Sequence, residues 1–257
     1  MRRIRVIPVL SISGNRLVKT VKFKKETYIG DPINAIKIFN DKEVDELVAL
    51  DIHATKNNTP PNFKLIEEFA SECFMPLAYG GGITSMEQIH KIFGLGVEKI
   101  IVNSSAATTK IIEEATKHYG SQSIVASVDV NKSMLGKQYI ATHSGKHKIK
   151  TNLLDYVKTL EEQGAGEIIV NAIYNDGMMD GYDIDLIKMV ADHVNIPVVA
   201  CGGASKIDDF LSAVNNGHAS AVAAGSQFVY SGPQKGVLIN YPNQEKLESE
   251  FYQKVER

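Results

Sequence analysis

The chain of 257 residues has no tryptophan and only two cysteines, Cys73 and Cys201. These cysteines provide neither a disulfide framework nor the spacing of a zinc site, a usage typical of a reduced, cytoplasmic protein. No apolar run reaches the roughly 18 residues that a membrane helix requires. The basic start of the chain runs directly into a strand pattern and has no signal-peptide core. We therefore predict a cytoplasmic protein that does not insert into a membrane.

An excess of charge of either sign is also missing. The chain carries 28 Lys and Arg against 30 Asp and Glu, which gives a net charge of −2. Such a balance implies no general affinity for nucleic acid or for a membrane surface. The sequence contains no metal-ligand spacing, so we expect no metal and no cofactor. These limits leave small molecules and other proteins as the expected partners.

What the chain does contain is a repeat at a fixed shift. Residues 76–82 (PLAYGGG) match residues 197–203 (PVVACGG), and the same shift of 121 positions places Gly96 on Gly217 and Ser105 on Ser226. A shift held over separate stretches indicates an internal repeat. We predict one domain over residues 1–257, built from half-barrels of about 1–122 and 123–257.

Short β-branched runs alternate with helical patterns along the whole chain. Eight strands alternating with helices predict an α/β fold, a (β/α)8 TIM barrel, with a doubly wound open sheet as the alternative. The strands are expected at 5–12, 46–52, 75–79, 99–102, 123–128, 167–171, 196–200 and 219–223. The helices are expected at 32–42, 63–73, 86–93, 109–118, 152–163, 184–193, 207–215 and 244–255.

In such barrels the active site lies at the C-terminal ends of the strands. Two long connections fall on that face, residues 13–30 and 131–151, and we expect them to form lids or to grip a substrate. The lysines of the first connection either attract phosphate or form a solvated charge run. Asp51 either serves catalysis or anchors a loop. His53 and His143 are expected to be hydrogen-bonded loop residues, and Cys201 a small buried thiol.

Two pairs of glycine-rich turns are separated by the repeat distance. The first pair combines Gly81-Gly82 with 103–105 (NSS), and the second combines Gly202-Gly203 with 224–226 (AGS). Backbone N–H groups of small residues ahead of a helix suit a phosphate group. Glycines in barrel loops also serve packing alone. Two such turns at opposite positions predict a ligand with a phosphate at each end, or two phosphorylated ligands.

The segments that carry these motifs resemble the cyclase subunit of imidazole glycerol phosphate synthase, the HisF family of histidine biosynthesis. The similarity covers nearly the whole chain, including 14–19 (GNRLVK), 164–168 (GAGEI), 175–177 (NDG), 181–183 (GYD) and 201–204 (CGGA). The resemblance implies a bisphosphorylated nucleotide as ligand. The binding residues that it implies are Lys19, Gly82, Asn103, Ser104, Asn171, Asp176, Gly177, Gly202, Gly203, Ala224, Gly225 and Ser226.

The resemblance also implies a glutaminase partner, whose ammonia enters through a gate of four charged residues at the N-terminal face. The matching positions are Arg5, Glu46, Lys99 and Glu167. Each lies at the start of a predicted strand. Side chains two residues apart on a strand point to the same side, so Arg5 faces the barrel interior with Ile7, and the other three charges face inward in the same way. Four charges inside a barrel are costly unless they are paired. They are either a gate for ammonia or a structural plug of salt bridges.

One position departs from the family pattern. The family's cyclisation uses two aspartates as general acid and base, and the second of these matches Asp129. The first matches Ser11, in the segment 9–14 (VLSISG). A serine hydroxyl does not ionise near neutral pH and needs a neighbouring base to accept a proton. We therefore expect the chain alone to be a poor cyclase with ammonium salts.

This combination resembles a side branch of the family that is associated with surface-polysaccharide genes. It implies a synthase subunit that supplies ammonia for sugar amidation in surface-polysaccharide (lipopolysaccharide) synthesis, with a sugar amidotransferase as a further partner. One alternative is the cyclase of histidine biosynthesis, an enzyme of the lyase class. Another is a phosphate-binding barrel without catalysis.

Overall fold

The strands form a closed parallel barrel in the computed structural model, which describes residues 3–256. Along the chain they are β1 (Arg5–Ser13), β2 (Arg16–Thr20), β3 (Glu26–Gly30), β4 (Leu47–Asp51), β5 (Leu77–Gly80), β6 (Lys99–Val102), β7 (Ile124–Lys132), β8 (Gln138–Thr142), β9 (His147–Ile149), β10 (Glu167–Ala172), β11 (Val198–Cys201), β12 (Ala221–Ala224), β13 (Tyr230–Ser231) and β14 (Gly236–Val237). The barrel order is β1, β4, β5, β6, β7, β10, β11 and β12, and β12 pairs with β1. The pairing of β7 with β10 joins the two halves and excludes the open sheet.

Helices cover the outside of this barrel. They are α1 (Pro32–Asp41), α2 (Ala54–Asn57), α3 (Phe63–Glu72), α4 (Met86–Gly94), α5 (Ile111–Tyr119), α6 (Leu153–Glu162), α7 (Ile184–Ala191), α8 (Ile207–Asn215), α9 (Ser226–Val229) and α10 (Gln244–Glu250). Alternation of strand and helix confirms the predicted (β/α)8 fold. The division into duplicated half-barrels stays a prediction.

The side chains of each barrel strand alternate between the inside and the outside of the barrel, and this alternation divides the core into two parts. Outward-facing strand residues pack with buried helix residues such as Phe39 and Phe69 in one large cluster. Inward-facing residues, among them Ile7, Val48 and Ile169, form a separate apolar cluster that fills the barrel. Since successive side chains alternate across a strand, the next inward residues toward each C-terminal end reach the cavity described below.

The structure corrects the two long connections predicted as loops. β1 continues into an antiparallel hairpin with β2 and β3, and β7 does the same with β8 and β9. Both connections contain short runs of β-branched and aromatic residues, such as 27–29 (TYI) and 139–140 (YI), which pair as strands once a parent strand supplies an edge. The predicted last helix is also shorter, since α10 ends at Glu250 and a 3-10 turn follows at Tyr252–Lys254. Fully buried Phe251 interrupts it, because its ring packs on Phe210.

No helix within residues 3–256 combines the length and the apolar character that crossing a bilayer requires.

Candidate functional site

A cavity of about 750 Å³ opens at the C-terminal ends of the barrel strands. It brings together every residue for which the sequence predicted a catalytic or binding role. These are Ser11, Lys19, Gly82, Asn103, Ser104, Asp129, Asn171, Asp176, Gly177, Gly202, Gly203, Ala224, Gly225 and Ser226. Their convergence follows from the parallel barrel, in which all strand ends meet at one face. Their individual roles stay predictions.

Asp129 lies on β7 at the base of this cavity. Its carboxylate accepts hydrogen bonds from the side-chain amides of Asn103 and Asn171, both at 2.9 Å. Burial raises the pKa of Asp129 to about 7, and the negative charge of Asp176 acts in the same direction. The two amide donors oppose the shift because they favour the ionised form. Asp129 is therefore suited to accept or donate a proton near neutral pH.

No carboxylate lies on β1, where the family pattern places its first aspartate at the position of Ser11. Ser11 itself is half-buried on β1 and lines the cavity. Both oxygens of Asp176 accept from the ammonium group of Lys19, at 2.9 and 3.0 Å. Within the described part of the chain, the other lining carboxylates are Asp51 and Glu26, and both have partners. Asp129 likewise accepts two hydrogen bonds, and its part in proton transfer stays a prediction.

Asp51 and the two histidines near the mouth hold loops in place. Asp51 Oδ1 accepts from the backbone N–H groups of His53 and Ala54, both at 2.9 Å, which supports loop anchoring over catalysis. The side chain of His53 contacts Glu26. The backbone N–H of His143 donates to Ser104 Oγ at 3.0 Å. Cys201 is half-buried and lines the cavity, so it is not the fully buried thiol that was expected. Desolvation nevertheless raises its pKa to about 12, which disfavours a nucleophilic thiolate.

The first pair of glycine turns differs in part from the expectation. Gly81 and Gly82 have positive φ angles of 116° and 72°, and a Cβ on Gly81 would lie 2.4 Å from the carbonyl oxygen of Asp51. These positions therefore require glycine. However, α5 begins only at Ile111, well after Ser104, and α4 begins at Met86. The N-terminus of a helix does not follow either turn directly, so any phosphate here is held by loop backbone and side chains.

The second pair of turns matches the expectation more closely. Gly203 has a φ of 119°, and a Cβ there would lie 2.1 Å from the carbonyl oxygen of Gly181. The short helix α9 begins at Ser226, directly after Gly225. The hydroxyl of Ser226 is buried and has no hydrogen-bond partner within residues 3–256. A buried hydroxyl without a partner is costly, so this turn is suited to an acceptor supplied by a ligand.

Two hairpin turns meet above the cavity, and the sequence did not predict their contacts. Ser144 Oγ donates to the carbonyl oxygen of Ile52 at 3.0 Å, which ties the β8–β9 turn to the end of β4. A Cβ on Gly145 would lie 3.5 Å from the ring of Phe23, in the β2–β3 turn. The backbone N–H of Lys22 donates to the carbonyl oxygen of Asp176 at 2.9 Å. These contacts make both connections a partial roof.

The four predicted charges meet at the opposite, N-terminal end of the barrel. Lys99 Nζ lies 2.8 Å from Glu46 Oε2 and 3.2 Å from Glu167 Oε2. The guanidinium of Arg5 forms ion pairs with the same two carboxylates. Burial disfavours its charge, yet Glu167 and Glu46 together raise the pKa of Arg5 above its ordinary value. The two signs are therefore fully paired in one layer, which we call the ion quartet.

The pKa of Asp129 leads to a testable dependence of stability on pH. A folded-state pKa of about 7, against an ordinary value of 3.8, means that ionisation of Asp129 destabilises the folded protein as the pH rises from about 4 to 7. The variant Asp129→Asn lacks this ionisation. We expect its unfolding free energy, relative to the unsubstituted protein, to increase with pH across that window. Urea denaturation of both proteins from acidic to mildly alkaline pH measures the difference, and parallel curves would contradict the raised pKa.

Comparison with known proteins agrees with this architecture. The family described as "Histidine biosynthesis protein" matches residues 5–233. A protein of Pseudomonas aeruginosa named "Putative imidazole glycerol phosphate synthase subunit hisF2" is 48% identical over 249 residues, 96% of this chain and 99% of its own. A protein of Leptospira borgpetersenii named "Putative imidazole glycerol phosphate synthase subunit HisF" is 48% identical over 98% of this chain and 100% of its own. The hisF3 protein of Vibrio vulnificus is 46% identical over 95% and 94%, respectively. The chain therefore belongs to the histidine biosynthesis protein family, in which its full-length likeness is to the HisF-type synthase subunits.

Proposed function

We propose that this protein is the synthase-type subunit of a glutamine amidotransferase complex, which takes ammonia from a glutaminase and passes it through the barrel. We further propose that the ammonia serves sugar amidation in surface-polysaccharide synthesis. The observation that carries the proposal is a cavity with Asp129 on β7 and no carboxylate on β1, above an intact ion quartet. Under this proposal the protein keeps the ammonia delivery of the family's cyclase subunit but lacks the pair of aspartates that cyclisation requires.

The ion quartet supports the entry of ammonia at the N-terminal face. It closes the end of the barrel opposite the cavity, and the apolar cluster around Ile7, Val48 and Ile169 lies between the two. Neutral ammonia crosses an apolar interior at a much lower cost than an ammonium ion. Paired charges at the entrance can separate and re-form around a small molecule. A glutaminase docked on this face would release ammonia directly at the quartet.

A second candidate is the cyclase of histidine biosynthesis. It is favoured by Asp129, whose pKa of about 7 suits proton transfer, and by the names of the relatives. The two candidates differ in whether purified protein converts the bisphosphorylated nucleotide with ammonium salts. We expect binding of the nucleotide with little or no turnover. Efficient turnover by the unsubstituted protein would instead establish the cyclase.

Binding of phosphate at the second glycine turn has its own test. Ser226→Ala removes the buried hydroxyl that has no protein partner, and a hydrogen bond to a charged group contributes about 1.5–3 kcal/mol. We expect the affinity for inorganic phosphate or the nucleotide to fall about 10-fold or more. We expect the unfolding free energy of the unliganded protein to stay the same or to rise, because an unsatisfied polar group is lost. Calorimetric titration and urea denaturation measure the two effects.

The matched control is Ser212→Ala on helix α8, where the hydroxyl donates to a backbone carbonyl oxygen at the helix surface. It should leave phosphate affinity unchanged. If Ser226→Ala also leaves the affinity unchanged, the phosphate group does not contact this turn.

A further inference from the structure

Exposed large apolar side chains are concentrated on one face of this protein. Six of the eight in the described residues lie on or beside the three hairpins that follow barrel strands at the C-terminal end. The most exposed are Met134 and Leu135, at 106% and 96%. They form the turn between β7 and β8, five to six residues beyond Asp129, which places them about 16 Å or more farther along the strand direction. We call this pair the hairpin tip.

The same segment carries an unusual charge. Residues 131–151 contain five lysines and no acidic residue, although the whole chain has a net charge of −2. Lys132 pairs with Asp183 at 3.1 Å. The other four are exposed and have no ion-pair partner within residues 3–256, and they are Lys137, Lys146, Lys148 and Lys150.

These lysines form a path from the hairpin tip to the cavity. Lys137 lies two residues after the tip, and Lys150 lies one residue beyond the pairing of Ile149 with Ile140. Lys148 lies within β9, and Lys146 lies in the turn that precedes this strand. Lys146 lines the cavity itself. A partner protein that contacts the hairpin tip and these lysines through an acidic surface would therefore reach the mouth of the cavity.

Two simpler explanations account for only part of this surface. Lysines on an edge strand discourage aggregation, and β9 is an edge strand. That role is inconsistent with two fully exposed apolar residues placed beside the lysines. An anionic membrane would attract both features. A membrane cannot, however, pair with the open backbone edge of β9, whereas an extended segment of a protein can.

We propose that the hairpin tip and the lysine path form a docking surface for a second protein, with an acidic and apolar binding face, that covers the mouth of the cavity. This proposal rests on the proposed function, in which ammonia leaves the barrel at this mouth. The occupant is then the enzyme that accepts the ammonia, and docking at the mouth shields ammonia from the solvent. The N-terminal face remains free for the glutaminase.

The lack of tryptophan gives a direct probe. In the variant Leu135→Trp, the only tryptophan of the chain lies at the tip. We expect a saturable blue shift of its emission when the sugar amidotransferase of the proposed function is added, after subtraction of the same titration with the unsubstituted protein. Vesicles of equimolar phosphatidylcholine and phosphatidylserine should give no shift. A shift with vesicles and none with the enzyme, or no shift with either, overturns the proposal.

Substitutions at the surface test its energetics. Met134→Ser combined with Leu135→Ser should weaken enzyme binding about 10-fold or more, since exposed apolar anchors dominate interfaces. Lys137→Gln, Lys148→Gln and Lys150→Gln together should slow association and reduce its salt dependence. The matched controls, Met189→Ser on α7 and Lys246→Gln on α10, should change neither. Unchanged binding in both groups of variants overturns the docking surface.

Failure of this proposal is distinguishable from failure of the proposed function. If the unsubstituted complex transfers glutamine nitrogen to its acceptor and the tip variants transfer it equally well, only the docking surface is wrong. If the unsubstituted complex transfers no glutamine nitrogen, the proposed function fails and the docking surface with it.

Discussion

Replacing Ser11 by aspartate is expected to raise the turnover of the family's nucleotide with ammonium salts by about 10-fold or more. The variant restores a carboxylate on β1 in the cavity that holds Asp129. General acid–base catalysis by one positioned group commonly contributes about 10²–10⁴-fold, and the other lining carboxylates are already engaged. Asp129, whose pKa of about 7 lets it hold a proton near neutral pH, can then act as the acid while the ionised carboxylate introduced on β1 acts as the base. Single-turnover measurement of product formation provides the test.

The control is the double variant Ser11→Asp with Asp129→Asn, which should lose the gain. Binding of the nucleotide should be similar in the unsubstituted protein and the single variant, because the glycine turns are unchanged. No rise in turnover would mean that the pocket has been reshaped beyond Ser11 for other chemistry. Efficient turnover without any substitution would contradict the sugar-amidation proposal and favour the cyclase of histidine biosynthesis.

Replacing Lys99 by methionine is expected to uncouple glutamine hydrolysis from ammonia delivery. Lys99 Nζ binds both Glu46 and Glu167, and its loss leaves two buried carboxylates with Arg5 as their one cation. Removal of one member of a buried ion network commonly costs about 3–5 kcal/mol, so unfolding must be measured alongside activity. We expect transfer of glutamine nitrogen to fall about 10-fold or more, while use of free ammonium at the mouth is unchanged.

Two further variants separate a gate from a structural plug. Lys99→Arg keeps the charge and should retain stability, yet its larger planar group should still disturb passage. Lys158→Met removes a surface pair with Glu161 on α6 and should leave coupling intact. If Lys99→Met and Lys99→Arg both fold and both transfer glutamine nitrogen as well as the unsubstituted protein, the ion quartet is a structural plug.

Local patterns in the sequence were sufficient to predict the fold and to predict which strand-end residues line the cavity. The alternation of β-branched runs with helical stretches predicts strands and helices, and a parallel barrel brings all strand ends to one face. For that reason Asp129 and Ser226 could be assigned to one site before their distances were known, whereas Lys19 was assigned from the family resemblance. Parity along single strands likewise placed Arg5 and Glu167 inside the barrel. The serine at position 11 is visible in the sequence alone.

The tertiary structure decided what depends on residues far apart in the chain. The raised pKa of Asp129 results from burial and from the charge of Asp176, against the opposing effect of two amides, one just after β6 and one on β10. The ion quartet joins residues as distant as Arg5 and Glu167. Pairing of β2 and β8 with their parent strands turned two expected loops into hairpins. Local sequence sets side-chain direction and backbone preference. Burial, ion pairing and strand edges exist only after the barrel closes, because closure determines which distant groups share an environment without water.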